Sequence, residues 1–200
     1  MKKGIRNAVF IILTLCLVFL YAHIAKCHNV YDPDIDASDH QSVSCYHSGP
    51  VAQRFISVEE NLDAVRIKCR IVGNVEKVDV HFVLTETESG KEVASGTVSG
   101  KNFQNGKFAQ FPFDRISGCK GKEYEILLDS KGETEENLIN FCYQAGVEED
   151  TAMYVDGVPK EGTLILKMVI QRFDLETFCV LLIFVVYIVV FMKFLYGLFR

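Results

Sequence analysis

The 200-residue chain has no Trp, only 4 Pro and 14 Gly, and 21 Lys and Arg against 26 Asp and Glu. So little Pro and Gly excludes a collagen-like or low-complexity chain. The acidic balance, a formal net charge of −5, argues against nucleic acid as a partner, because such a binder needs a basic stripe. Seven Cys are too few for a disulfide-dense miniprotein. Catalytic signatures are missing as well. There is no G-x-S-x-G elbow, no H-E-x-x-H, no phosphate-binding Gly loop, and no Ser, His and Asp set placed by a recognisable motif. A non-enzyme without a cofactor is the expectation.

What the chain does have is two apolar ends. Lys2, Lys3 and Arg6 precede an uncharged run over residues 8–22, a basic n-region followed by an apolar h-region, which reads as a signal peptide or signal anchor over residues 1–26. Fifteen residues at about 1.5 Å each give about 22 Å, short of the hydrocarbon core of about 30 Å, and adding His23, Ile24 and Ala25 approaches a full span. No A-x-A cleavage pattern is present, which favours an uncleaved anchor. The second block is uncharged over residues 178–192 and continues past Lys193 to Phe199. It predicts a transmembrane helix within residues 176–200, with Lys193 snorkelling to the headgroups. Basic residues flank both blocks, so the positive-inside rule places both termini in the cytoplasm, unless the first is cleaved, and the middle outside the cell membrane. Residues 32–176 hold all 26 acidic residues against 15 basic ones, a net charge of −11.

Residues 27–50 are polar, rich in Asp, Ser and His and without an apolar period, and read as a linker. From Val51 the pattern changes. In VRIKCRI, Val65, Ile67, Cys69 and Ile71 point one way and Arg66, Lys68 and Arg70 the other, the period of two that marks a half-buried strand. Val78, Val80, Phe82 and Leu84 repeat it, as do Tyr124, Ile126 and Leu128. Further runs at 51–58, 91–98, 107–113, 137–143, 151–155 and the uniformly apolar 163–171 bring the total to nine strands at about ten-residue spacing. That spacing implies an all-β, antiparallel β-sandwich over residues 51–173, flanked by two hydrophobic transmembrane helices.

Gln53 and Phe55 in the opening strand, Asn61-Leu62 at the first turn, and Phe111 and Phe113 ahead of Gly121-Lys122-Glu123-Tyr124 form one ordered set. Tyr154, Asp156-Gly157 and Gly162-Thr163-Leu164 complete it. This set resembles a jelly-roll domain of bacterial membrane proteins, found beside the spans of cell-surface polysaccharide glycosyltransferases. The resemblance covers residues 51–173 and implies a jelly-roll-like fold and a sugar-related or accessory role in the cell envelope. The matching residues are packing and turn residues, which specify a fold and not a chemistry. The multi-span catalytic portion of those enzymes is missing.

Two functions follow as expectations: binding of a cell-envelope glycan, or docking to a multi-span polysaccharide glycosyltransferase or exporter. A glycan site needs aromatic faces for pyranose rings and amides for hydroxyls. The candidates are Tyr46, Phe103, Phe108 and Tyr143 as exposed rings, with Asn102, Gln104, Asn105 and Gln110 as polar neighbours. Glu148, Glu149 and Asp150 are weak calcium candidates, since calcium wants six to eight hard oxygens and their spacing matches no EF-hand. A zinc site from Cys27, His28, His40, Cys45 and His47 lacks a paired C-x2-C framework, so no metal is expected. The disulfide candidates are Cys27 with Cys45 and Cys119 with Cys142.

Overall fold

The computed structural model describes residues 2–199, without the side chains of residues 2–4, 6–8, 24 and 172. Arg200 and the side chains of Lys2, Lys3 and Arg6, on which the expected orientation rests, lie outside the described residues. The chain divides into two units, residues 27–170 and residues 1–26 with 171–200.

The first unit is a β-sandwich. One sheet has the order β11 (Val158–Lys160), β10 (Ala152–Val155), β3 (Val51–Ile56), β8 (Glu123–Lys131), β5 (Asp79–Glu86) and β6 (Lys91–Ser99). The other runs β1 (His23–Asn29), β13 (Leu166–Phe173), β4 (Asn61–Val72), β9 (Leu138–Gln144) and β12 (Thr163–Leu164), with β7 (Phe108–Ser117) on β4 and β2 (Gln41–Ser44) on β9. The registers that pair β3, β4, β5, β7, β8, β9, β10 and β13 are antiparallel. The alternation of VRIKCRI now has its cause. Val65, Ile67 and Cys69 are fully buried between the sheets with Phe55, Phe82, Phe111, Tyr124 and Ile126. Phe82 meets Phe111 edge-on across the interface, ring centres 5.6 Å apart. A ring pair of this kind adds about 0.5–1.5 kcal/mol to the burial of the two side chains.

Two expectations for this unit are corrected. Residues 27–50 are not a linker: they supply the end of β1, all of β2 and the short helix α2 (Cys45–Ser48). β2 pairs with β9 from Gln41 opposite Tyr143 to Ser44 opposite Asn140, so a sequence without an apolar period still forms a strand. The run 163–171 is not one strand either. It breaks at Ile165, whose N–H bonds Cys142 O at 2.9 Å while its C=O accepts Lys68 N–H at 3.0 Å. There the chain passes from β9, which β12 pairs, to β4, which β13 pairs.

The second unit contains two helices, α1 (Lys2–Tyr21) and α3 (Leu175–Leu198). Asp174 caps α3, its carboxylate accepting Thr177 N–H at 3.1 Å. At about 1.5 Å per residue the 24 residues of α3 cover about 36 Å, enough for a bilayer core of about 30 Å. The expected second span does not form. The apolar part of α1 is Val9–Tyr21, and the helix does not continue through Ala25. Ala22 O instead accepts Asp174 N–H at 2.8 Å, and β1 begins at His23. Among the described residues, α3 is the helix long and apolar enough to cross a membrane.

Candidate functional site

The outer face of the seven-stranded sheet is chemically unlike the rest of the acidic unit. Side chains opposite the core on β4 are Arg66, Lys68 and Arg70. Register places Lys167 of β13 on one side of Arg66 and Gln110 of β7 on the other, with Phe108 beside Lys68. The guanidinium of Arg66 donates to Gln110 Oε1 at 2.9 Å and to Cys27 Sγ at 3.7 Å.

Residues 31–40 lay two further side chains on this face. Their Asp residues fold the segment locally: Asp32 Oδ1 accepts Asp34 N–H at 2.9 Å, and Asp36 Oδ1 accepts both the N–H and the hydroxyl of Ser38 at 2.8 Å. Such side-chain bonds to backbone two residues on are what make Asp a turn former. Asp32 N–H is in turn held by Gln144 Oε1 at 3.2 Å. Tyr31 thereby lies 6.4 Å from Phe108, the two rings inclined by 31°, and Lys167 Nζ stands 4.5 Å from the Phe108 centre and 5.8 Å from that of Tyr31. Both rings are half-buried, so each offers an apolar surface beside a cation held partly by their π-electrons.

His40 completes the cluster. It is 6% exposed, its Nδ1 lies 3.5 Å from Lys68 Nζ, and its Nε2 is buried without a hydrogen-bond partner among the described residues. Burial, with Lys68 and Arg70 nearby, holds its pKa below the usual histidine value, outweighing Asp36 and Asp39. An ammonium can only donate, so Nδ1 accepts from Lys68, and the ring proton belongs on Nε2.

The residues expected to form a glycan site divide. Phe108 and Gln110 share this outer face. Phe103 and Tyr143 are not exposed rings: at 6% and 5% exposure they are core residues. Phe103 is edge-on to Phe111 at 6.0 Å, and the Tyr143 hydroxyl donates to Gln41 Oε1 at 2.6 Å. Tyr46 is 47% exposed but stands in α2, beside His47. Asn102 and Gln104 are exposed, whereas Asn105 Oδ1 accepts Ile71 N–H at 3.0 Å and so extends the bonding of β4 beyond its partner strand.

Glu148, Glu149 and Asp150 form a turn, closed by Thr151 N–H on Glu148 O at 3.2 Å. Glu148 is taken by Gln144 Nε2. No three His, Cys, Asp or Glu side chains converge as a metal site among the described residues. All seven cysteines are free thiols, so neither expected disulfide is formed. Cys45 lies buried with its thiol toward Leu128 O, and Cys119 donates to Ile116 O. Cys27 faces Arg66 at the sheet surface, and Cys142 is enclosed on β9.

The sequence alone does not single out Tyr31, Arg66, Lys68, Arg70 or Lys167, and it reaches His40 only within the zinc candidates set aside above. The available signal was the three outward cations of VRIKCRI in a region of net charge −11.

No protein-family model matches the chain, and no curated protein does. Among solved structures it is similar to the clostridial cysteine protease Cwp84 after propeptide cleavage, at 13% identity and a TM-score of 0.45 over 74% of this chain and 40% of that one. It is also similar to the cysteine protease and lectin-like domains of Cwp84, a surface-layer-associated protein of Clostridium difficile, at 13% identity and 0.41 over 68% and 37%. The VP2 subviral particle of infectious bursal disease virus matches at 13% identity and 0.25 over 76% and 43%. The chain thus spans about 40% of the length of the solved proteins it resembles.

Proposed function

We propose that this is a membrane-anchored, non-catalytic protein whose extracytoplasmic sandwich, of jelly-roll kind, binds a glycan of the cell envelope. The observation that carries the reading is the pair of half-buried rings, Phe108 and Tyr31, beside Gln110 and Arg66 on the outer face of the seven-stranded sheet. Pyranose C–H faces stack on such rings, and amide and guanidinium groups fix hydroxyl orientation, the division of labour of small-ligand sites. The thiols give no support to catalysis. Burial pushes Cys45 up to about 11 and Cys69 well above its ordinary value, whereas a nucleophilic cysteine needs its pKa lowered.

The test is a titration of the full chain, in a sugar-free detergent, with envelope polysaccharide from the source cells. Binding is expected, with Phe108→Ala and Tyr31→Ala each weakening it about tenfold. Absence of binding, or binding untouched by both substitutions, overturns the reading.

Docking to a multi-span glycosyltransferase or exporter is the second reading. It draws on a groove of about 560 Å³ between α1 and α3, lined by Phe10, Ile11, Leu15, Val18, Leu182 and Val186. Thr14 in that groove already donates to Phe10 O at 2.9 Å, which leaves packing as the means of association. Crosslinking in intact membranes should then recover the enzyme; recovery of monomer alone overturns it.

A further inference from the structure

Among the described residues of the sandwich, Arg54 pairs with Glu125, Arg115 with Asp63 and Lys122 with Glu86. In a region with 26 carboxylates, such pairing is the ordinary fate of a cation. Arg66, Lys68, Arg70 and Lys167 depart from it. Among the described residues, none of the four has a carboxylate within 4.0 Å. Their partners are instead an amide and a thiol for Arg66, an imidazole for Lys68 and two aromatic rings for Lys167. These are weak or neutral acceptors, so no carboxylate pairs directly with these cations, and Asp36 and Asp39 oppose them only through their field at His40. The field of the cations reaches Cys142, whose pKa Arg70 and Lys68 draw down against the burial that raises it.

A second observation points the same way. The orphaned nitrogen of His40 carries the ring proton, because Nδ1 accepts from Lys68. A buried N–H without an acceptor is costly, because its bond to water is lost and not replaced. This N–H is enclosed, without an acceptor among the described residues, beside cations that favour an anion.

We infer that the outer face of the seven-stranded sheet takes an anionic saccharide, with Lys68, Lys167 and Arg66 receiving its acidic group and Phe108 and Tyr31 lying against the sugar. Uronate and phosphodiester units present the same chemistry, an oxyanion on a polyhydroxylated ring, and both fit the statement. The sugar part rests on the glycan reading above; the anion part rests on the cations and His40 alone.

The experiment uses the full chain in a sugar-free detergent and four probes: polygalacturonate, neutral dextran, poly-glutamate and inorganic phosphate. Polygalacturonate is expected to bind and dextran to bind far more weakly. Lys68→Met and Lys167→Met should each reduce polygalacturonate affinity about tenfold, the loss expected for removing one charge from a complementary face. Lys68→Arg should retain it, and Lys101→Met, an exposed cation elsewhere, should leave it unchanged. Melting temperatures matching the wild type certify the folding of each variant. Raising the salt should weaken binding, since exposed charges are screened.

Equal binding of dextran and polygalacturonate, unaltered in the Lys variants, overturns the anionic assignment and leaves the glycan reading standing. If only phosphate perturbs the His40 and Phe108 resonances, and Lys68→Met abolishes this, the anion site stands and the glycan reading falls. Poly-glutamate binding as tightly as polygalacturonate overturns the saccharide assignment, and silence of all four probes overturns the whole.

Discussion

Gln53 Oε1 accepts the backbone N–H of Leu164 at 2.8 Å, joining β3 of one sheet to β12 of the other. Gln53 is fully buried, and its amide donates to Arg54 O at 2.9 Å and to Ala152 O at 3.2 Å. One side chain therefore satisfies backbone groups of three strands inside the core. Replacing it by Leu keeps the volume but orphans Leu164 N–H, at a cost of about 1–3 kcal/mol. Urea denaturation of Gln53→Leu should show that loss in the midpoint, with the slope unchanged; an unaltered midpoint would show that the bond contributes nothing net.

His40 makes the sandwich sensitive to mild acid. Its folded pKa is lowered by burial first, then by Lys68 and Arg70 of β4, with Asp36 and Asp39 opposing and the neutral Tyr31 ring edge-on. In the unfolded chain it titrates near its ordinary value of about 6.5. Below that value the unfolded state binds more protons, so stability is full above about pH 6.5 and declines as the pH falls through it toward the lower folded value. Thermal melts between pH 8 and pH 5 should show this decline for the wild type. In His40→Gln, that part of the decline should vanish; a wild-type profile in the variant would remove His40 as its cause.

Thiol chemistry separates the cysteines by burial. Cys45, Cys69, Cys119 and Cys142 are enclosed, and burial is the leading cause of the upward pKa shift of each. Cys27 is half-buried at the sheet surface beside Arg66. A maleimide applied to the folded protein at pH 8 should modify Cys27 and spare those four. After denaturation without reductant, peptide mapping should find all seven labelled. A protected pair, Cys27 with Cys45 or Cys119 with Cys142, would contradict the free thiols seen here.

The strands of the sandwich are legible in the sequence because period two reports directly on which face is buried. Eight of the nine runs expected from it, Val65 to Ile71 among them, each lie on one observed strand, overrunning it by at most two residues, and the ninth, 163–171, is divided between β12 and β13. Legibility ends where backbone pairing, not burial, makes the element. β2 reads as polar because pairing with β9 satisfies its backbone. The break at Ile165 contains no turn residue, and only the positions of β4 and β9 explain it. In KNFQNGKF no period tells that Phe103 turns inward and Phe108 outward. The cation stripe of β4 was visible as alternation, but its meaning depends on Tyr31 and His40, brought from another part of the chain by Asp-initiated turns.

Membrane attachment should depend unequally on the two helices. The apolar part of α1, Val9–Tyr21, covers about 20 Å, against about 36 Å for α3 and a core of about 30 Å. The shortfall is not repaired beyond Tyr21, because the backbone at Ala22 is bonded to Asp174 and the chain then extends as β1. A chain lacking residues 175–200 should therefore be released from membranes by alkaline carbonate, whereas one lacking residues 2–21 should stay in the pellet. Equal retention of both would mean that α1 anchors as firmly as α3, and release of the second alone would transfer the anchor to α1.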